Sequence, residues 1–156
     1  MHSVLSGCAA VVLVTGLSGQ ALLGPKPSAV QHVTAATSTS IQGPGGKVAL
    51  HVDVMPKANI HVYAAGAKEF TAVSLVLTPR AGISPGKPVY PAADPPLPGQ
   101  DDVPAYRNTF RITQPIALER AQEEVTIAGV LNYQACDDRV CYPVASLPVS
   151  WTVRAR

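Results

Sequence analysis

Proline constrains the fold of this chain more than any other residue type. Fifteen of its 156 residues are proline, and eight of these fall between Pro79 and Pro104. Proline lacks a backbone N–H and breaks helix interiors, so long helices are excluded and regular strand pairing cannot continue far through that segment. The sequence therefore predicts an all-β domain with one long proline-rich connection. That connection is either a surface linker or a loop that covers a site.

Alternating apolar residues predict the strands of this domain. Val48, Leu50, Val52 and Val54 recur at every second position, which is the pattern of a strand buried on one face. Similar patterns predict strands over 60–65, 73–78, 106–112, 125–133 and 149–153. Short strands with no helical period between them favour an antiparallel sandwich.

The first residues of the chain predict export. Residues 8–17 form an apolar run, and small residues ending at Ala21 follow it, which fits a secretory signal peptide over 1–21. The alternative is a buried N-terminal helix, because no Lys or Arg precedes the run. A lipobox-like sequence ends at Cys8, but no apolar segment lies before it, so a lipid anchor is not expected. We predict a flexible lead over 22–29, a domain over 30–156, and a periplasmic or otherwise exported protein.

The charge balance excludes two classes of protein. The formal net charge is only +2, which argues against a basic surface for nucleic acid. Charged residues make up 14% of the chain and apolar residues 47%, so the chain is not a disordered charged tail.

Two cysteines remain after removal of the predicted signal peptide, Cys136 and Cys141, and they are expected to pair in an oxidising compartment. If residues 137–140 form a hairpin loop, the two cysteines face each other at a Cα separation of ~4.5 to 5.5 Å. Closing so short a loop stabilises the fold by only ~2 kcal/mol. The pair is therefore a redox centre, a plain structural staple or part of a metal site. His32, His51 and His61 lack the spacing of zinc ligands.

The neighbours of the two cysteines predict how such a redox centre behaves. Asp137 and Asp138 disfavour a thiolate and only Arg139 favours one, so the pair suits a reductant rather than a strong oxidant. The alternation over 125–133 continues to Cys136 and places it on the less apolar face of that strand. Cys141 precedes Tyr142 and Pro143, where strand pairing ends early, so Cys141 is expected to be the more approachable sulfur.

The segment from Asn132 to Pro143, with the sequence NYQACDDRVCYP, resembles the active-site segment of the amino-terminal periplasmic domain of the DsbD thiol:disulfide interchange family. Residues 60–63 (IHVY) and 86–91 (GKPVYP) extend the resemblance more weakly, so that it spans roughly 30–153. The sequence departs from the family pattern at Val144, where a second proline is expected. The four-residue cysteine loop is also shorter than in some members.

The resemblance implies an immunoglobulin-like sandwich and a thiol:disulfide oxidoreductase-like relay. In such a relay the cysteine pair takes electrons from a membrane-embedded transporter and passes them to periplasmic thioredoxin-fold oxidoreductases. Cys141 matches the cysteine that bonds to the partners, and Cys136 matches the other. By order along the chain, a cap loop over the pair falls within Gly86–Pro98. The side chains expected around the cysteines are Tyr63, Tyr90, Asp138 and Arg139.

Three functions remain open from the sequence. The first is this relay, which would be a standalone form because the chain ends at Arg156, and it requires no cofactor and no metal. The second is an exported immunoglobulin-like binding module with an inert disulfide. The third is a copper or zinc carrier that uses both thiolates. Neither the sequence pattern nor the charge predicts a nucleic-acid partner.

Overall fold

The computed structural model describes residues 31–43, 47–96, 103–119 and 124–154. Within these ranges the chain forms β-strands and no α-helix. The strands are β1 (Val33–Ile41), β2 (Lys47–Pro56), β3 (His61–Tyr63), β4 (Ser74–Leu77), β5 (Ile83–Pro85), β6 (Ala105–Tyr106), β7 (Phe110–Leu118), β8 (Val125–Tyr133), β9 (Ala135–Cys136) and β10 (Ala145–Val153). The predicted signal peptide and the lead over 22–29 lie outside the described residues.

Two antiparallel sheets form the body of the domain. One has the order β1-β2-β7-β5 and the other the order β10-β8-β4. Both contribute to a single core, which contains Leu50 from the first sheet and Ile127 from the second. The indole Nε1 of Trp151 donates a hydrogen bond of 2.8 Å to the backbone carbonyl of His51, which joins the two sheets. The predicted antiparallel sandwich is confirmed.

The apolar alternation located most of the central strands. β8 has the predicted bounds, and β2 contains the predicted segment over 48–54. The strand predicted over 106–112 is instead two strands, β6 and β7, because the chain turns between them. The carboxylate of Asp94 accepts hydrogen bonds from the backbone amides of Arg107 at 2.6 Å and Asn108 at 3.0 Å, and this holds the turn.

Strands at the edges of the first sheet were not predicted. In β1 only Val33 is buried, because the strand pairs with β2 alone and leaves much of its length to solvent. β5 lies at the opposite edge, inside the proline-rich segment (residues 79–104). Further along, Val89 and Thr113 exchange backbone hydrogen bonds of 2.8 and 3.0 Å. Residues 83–89 of the proline-rich segment thus lie along β7 in short paired stretches.

A third, smaller sheet carries the first cysteine. Its order is β6-β3-β9, and it has a core of its own, which we call the second core. The second core consists of buried Tyr63, Ala67, Ala105 and Cys136, with Phe70 and Val103 packed against them. Cys136 is only 1% exposed, so its predicted place on the less apolar face of β8 is wrong. The chain leaves β8 at Gln134, and β9 pairs with β3 instead.

Candidate active site at the cysteine hairpin

Cys136 and Cys141 form a disulfide across a short hairpin. The sulfur atoms are 2.03 Å apart and the Cα atoms 4.1 Å apart. The Tyr142 amide donates to the Ala135 carbonyl at 2.9 Å, and the Asp137 amide donates to the Val140 carbonyl at 3.0 Å. The cysteines therefore occupy a close, non-hydrogen-bonded pair of an antiparallel ladder. The predicted pairing across a short hairpin is confirmed, at a Cα separation of 4.1 Å, which is below the predicted range.

Asp137 holds the loop of this hairpin. One carboxylate oxygen accepts hydrogen bonds of 2.8 Å from the backbone amides of Arg139 and Val140. The other accepts a 2.6 Å hydrogen bond from the hydroxyl of Tyr142. These donors, the Tyr142 hydroxyl first, lower the pKa of Asp137 to about 2. From the sequence, Asp137 was expected only to disfavour a thiolate by its charge, whereas the structure shows that it organises the turn.

Asp137 should make the hairpin acid-sensitive. Because its pKa is lower in the folded chain than the ordinary value of 3.8, its contribution to stability is complete above about pH 4. That contribution is lost as the pH falls through about 2. We expect the amide NMR signals of Arg139 and Val140 to titrate with a midpoint near 2. The Asp137→Asn variant should not show this titration, and a wild-type midpoint near 3.8 would contradict the proposed loop contacts.

The two cysteines differ in exposure. Cys141 is exposed, whereas Cys136 is buried in the second core. Cys141 is therefore the more exposed of the two cysteine residues, as expected. The neighbours of Cys141 add to the accessible surface, because the apolar side chains of Val140 and Val144 are 53% and 52% exposed.

The loop between β3 and β4, residues 64–73, packs beside Cys136, and we call it the Phe70 loop. Gly66 has a φ of 98°, a left-handed conformation that favours glycine, and it lies in the turn that begins the loop. The ring of Phe70 stacks on the ring of Tyr63, with centroids 4.0 Å apart and planes inclined by 8°. An apolar cover therefore lies over the second core on the side of these two rings.

Tyr63 links this cover to the exposed cysteine. Its hydroxyl oxygen lies 3.5 Å from the Sγ of Cys141. A disulfide sulfur carries no proton, so in the oxidised protein the hydroxyl is the donor. Burial raises the pKa of Tyr63, which keeps the hydroxyl protonated at neutral pH. The same hydroxyl is thus able to donate a hydrogen bond to a thiolate at Cys141 after reduction.

Gln134 connects the Phe70 loop to the cysteine hairpin. Its side-chain oxygen accepts a 2.9 Å hydrogen bond from the amide of Thr71, the residue after Phe70. Its side-chain nitrogen lies 3.4 Å from the carbonyl oxygen of Tyr142, to which it donates. One side chain therefore contacts both the cover and the strand that follows Cys141.

The described part of the predicted cap loop, residues 86–96, lies elsewhere. Asp94 pairs with Ala105 of β6, and β3 separates β6 from β9. Three strand spacings place Asp94 about 14 Å from Cys136. The described part of Gly86–Pro98 is instead paired with β7 and β6, whereas Phe70 packs against the second core, which contains Cys136.

The other side chains expected around the cysteines are Tyr90, Asp138 and Arg139, and they lie in different parts of the fold. The hydroxyl of Tyr90 accepts a 3.0 Å hydrogen bond from the Leu75 amide, and its ring packs against the main core. Asp138 and Arg139 lie at the exposed tip of the cysteine loop. His61 pairs directly with Cys136 across the strands, and the sequence had not assigned it a role at the cysteines. Among the described residues, no group of three or more histidine, cysteine or acidic side chains is arranged to hold a metal ion.

Comparison with known proteins identifies the family. The model of the N-terminal domain of the thiol:disulfide interchange protein DsbD matches residues 27–149. The chain belongs to the DsbD N-terminal domain family. Its members form immunoglobulin-like sandwiches, so that expectation is confirmed, and they are periplasmic domains.

Two solved structures from Neisseria meningitidis resemble this DsbD N-terminal domain. The complex between the DsbD and PilB N-terminal domains has 15% identity and a TM-score of 0.50, covering 88% of this chain and 95% of that one. The reduced DsbD N-terminal domain has 15% identity and a TM-score of 0.46, covering 77% of this chain and 90% of that one. No curated protein matches the chain.

Family membership assigns this DsbD N-terminal domain a role in thiol–disulfide exchange. The chain carries a disulfide between Cys136 and Cys141, and a disulfide is the kind of group on which such chemistry acts. Within the described ranges, no helix is long and apolar enough to cross a membrane.

Proposed function

We propose that this domain passes reducing equivalents through Cys136 and Cys141 to thioredoxin-fold proteins. The observation that carries the proposal is the asymmetry of the disulfide, which joins an exposed Cys141 to a Cys136 that is 1% exposed. In the reduced protein, the Cys141 thiolate attacks a partner disulfide and forms a mixed disulfide. Cys136 then attacks the Cys141 sulfur, restores the internal disulfide and releases the partner as a dithiol. Two electrons and two protons leave this domain in each cycle.

The surroundings of Cys141 support its role as the cysteine that bonds to partners. The Tyr63 hydroxyl, 3.5 Å from its sulfur, is placed to stabilise a thiolate by hydrogen bonding. Exposed Val140 and Val144 lie on either side of the Cys141–Pro143 segment in the sequence and offer apolar surface to a docking partner. The solved complex of a DsbD N-terminal domain with a thioredoxin-fold PilB domain supports this class of partner.

The Phe70 loop acts in this proposal as the cover of Cys136. Its apolar contacts with Tyr63 and the second core exclude water and small thiols from the buried sulfur. Exchange is thereby directed to Cys141, which a partner reaches first. Gln134 holds the loop in this position through Thr71.

The supply of electrons and the location follow from the family resemblance. After each transfer to a partner, a membrane-embedded thiol–disulfide transporter would reduce the Cys136–Cys141 disulfide again. Cleavage after the predicted signal peptide over 1–21 would release the domain into the periplasm. Asp138 and Arg139, at the loop tip, would then contact the partner rather than the buried sulfur.

The reduction potential of the disulfide tests the proposed function. We expect a value above about −300 mV, because an exchangeable disulfide lies above the range of resistant structural ones. Equilibration with glutathione or thioredoxin buffers, followed by alkylation and mass spectrometry, measures this value. A potential below about −300 mV, together with no reduction of the oxidised PilB N-terminal domain, would favour an inert binding module. The chain carries Cys8 as a third cysteine, so a Cys8→Ser background keeps the measurement specific.

A further inference from the structure

We propose that His61 accepts the proton of the Cys136 thiol when Cys136 resolves the mixed disulfide. This inference rests on the proposed exchange function and assigns a proton acceptor to its second step. It concerns the buried cysteine, since the exposed Cys141 is able to lose its proton to solvent.

The strand register brings His61 to the buried cysteine. His61 of β3 and Cys136 of β9 are directly paired residues of an antiparallel ladder. Side chains of such a pair lie on the same face of the sheet, with Cβ atoms about 4.5 to 5.5 Å apart. Tyr63 packs edge-on against the imidazole, with ring centroids 5.4 Å apart, and this contact restricts the orientation of the ring.

Cys136 needs a proton acceptor because of where it lies. Its neighbours in the second core are apolar or aromatic: Tyr63, Ala67, Phe70, Val103 and Ala105. Burial in such surroundings raises the pKa of a thiol, yet only the thiolate attacks a disulfide. Tyr63 cannot accept the proton, because its hydroxyl is itself protonated at neutral pH. His61 is half-buried and is the residue that pairs with Cys136 across the strands. A neutral imidazole has one unprotonated ring nitrogen, which accepts a proton.

Burial is the main reason that His61 stays in the neutral form, which accepts a proton. Arg107, which follows β6, opposes protonation, while Asp138 and Asp137 in the cysteine loop favour it. Burial is the largest influence, and the net effect lowers the pKa of His61 below its ordinary value of 6.5. The imidazole is therefore mainly neutral at pH 7. The two aspartates are still placed to stabilise the imidazolium once it forms.

The proposed step balances without any further reagent. The Cys136 thiol gives its proton to His61, and the resulting thiolate attacks the Cys141 sulfur of the mixed disulfide. The bond between Cys141 and the partner breaks, and the partner cysteine leaves as a thiolate. The imidazolium then returns its proton to that thiolate or to water, so the internal disulfide and a reduced partner remain.

Single-turnover kinetics test this assignment. The reduced full chain, in the Cys8→Ser background, is mixed with the oxidised PilB N-terminal domain, and samples are alkylated at intervals and separated on non-reducing gels. In the His61→Gln variant we expect the mixed disulfide to form at the wild-type rate but to decay at least about tenfold more slowly at pH 7. A His51→Gln variant is the matched control, because His51 lies on β2 and contacts Ser40 and Thr113.

The pH profile separates proton transfer from a structural effect. The wild-type decay rate should stay level from pH 8 down to the pKa of His61 and fall below it. The His61→Gln rate should instead rise about tenfold per pH unit, as the thiolate fraction does, and meet the wild-type rate in alkaline solution. A His61→Ala variant provides a second measurement, since added imidazole should restore its decay.

Each outcome has a distinct meaning. If the mixed disulfide forms and the His61→Gln and wild-type profiles coincide, the role of His61 is wrong and the exchange function stands. If His61→Gln decays slowly at every pH and imidazole does not rescue His61→Ala, the residue is only structural. If the wild-type chain forms no mixed disulfide and does not reduce the partner disulfide, the exchange function itself is wrong.

Discussion

A Cys136→Ala variant is expected to remain covalently bound to an oxidised thioredoxin-fold partner through Cys141. Without Cys136, no internal thiol attacks the mixed disulfide, so the complex accumulates. The Cys141→Ala variant retains only a cysteine that is 1% exposed. A buried thiol reacts only from a minor open state of about 0.1–10% population, so we expect at least about tenfold less complex.

The measurement uses non-reducing gels after each variant, reduced and in the Cys8→Ser background, is mixed with the oxidised PilB N-terminal domain. Alkylation at each time point stops the exchange at that moment, so that the partner's second thiol does not reverse the reaction after sampling. Trypsin then locates the bond, because cleavage after Arg139 separates Cys136 and Cys141 onto different peptides. Equal trapping by both variants would contradict the division of roles, and trapping by neither would favour the binding-module function.

Phe70→Ala should open the buried side of the disulfide to small thiols. Phe70 stacks on Tyr63 over the second core, so its removal leaves a gap above Cys136. In the wild-type protein, a minor open state of about 0.1–10% population would be the one that glutathione attacks at Cys136. If Phe70→Ala removes the cover, the rate of attack on Cys136 should rise by about tenfold or more. Mass spectrometry of the two tryptic peptides, after glutathione treatment of the oxidised protein, measures attack on each sulfur.

Two variants control this experiment. Phe70→Leu keeps an apolar side chain without the aromatic stack and should give a smaller increase at Cys136. Val76→Ala removes an exposed apolar side chain from β4 and should leave both sulfurs unchanged. If Phe70→Ala folds cooperatively and glutathione still modifies only Cys141, the Phe70 loop is not the cover.

The sequence predicted the central strands because burial there follows a simple period. β8 alternates buried and exposed positions from Val125 to Tyr133, and its predicted bounds agree with the structure. The edge strands have no such signal, since β1 buries only Val33 at its start. β5 was missed for another reason: it ends at Pro85, in a segment whose proline content argues against pairing.

The cysteine hairpin was predictable because its geometry is local. The spacing of Cys136 and Cys141 determines a short loop, and the disulfide follows from it. The burial of Cys136 was not predictable, because the alternation of β8 does not continue past Gln134. Which strand receives β9 depends on contacts with β3, some 70 residues away in the chain.

The Phe70 loop was not predicted to pack beside Cys136, because proline density is a weak guide to position. The signal in the Phe70 loop was a lone aromatic residue three positions before the predicted strand over 73–78, close to Gly66. Gln134 and Asp137 also had a readable signal, since amide and carboxylate side chains beside a turn commonly bind its backbone. The pairing of His61 with Cys136 requires the register of two short strands, which the sequence alone does not determine.

The separation of the two cores has a consequence for how the domain fluctuates. The main core lies between the two larger sheets and also contains Val62, Tyr106 and Ala135 from the small sheet, whereas the second core rests on the other face of that small sheet, whose strands have two or three residues. Amide hydrogen exchange in such an arrangement proceeds through openings of different free energy, lowest where few apolar contacts must break. We therefore expect the second core and the Phe70 loop to open locally while the main core, which holds the other face of the small sheet, stays folded. A docking partner needs to supply only the smaller opening energy.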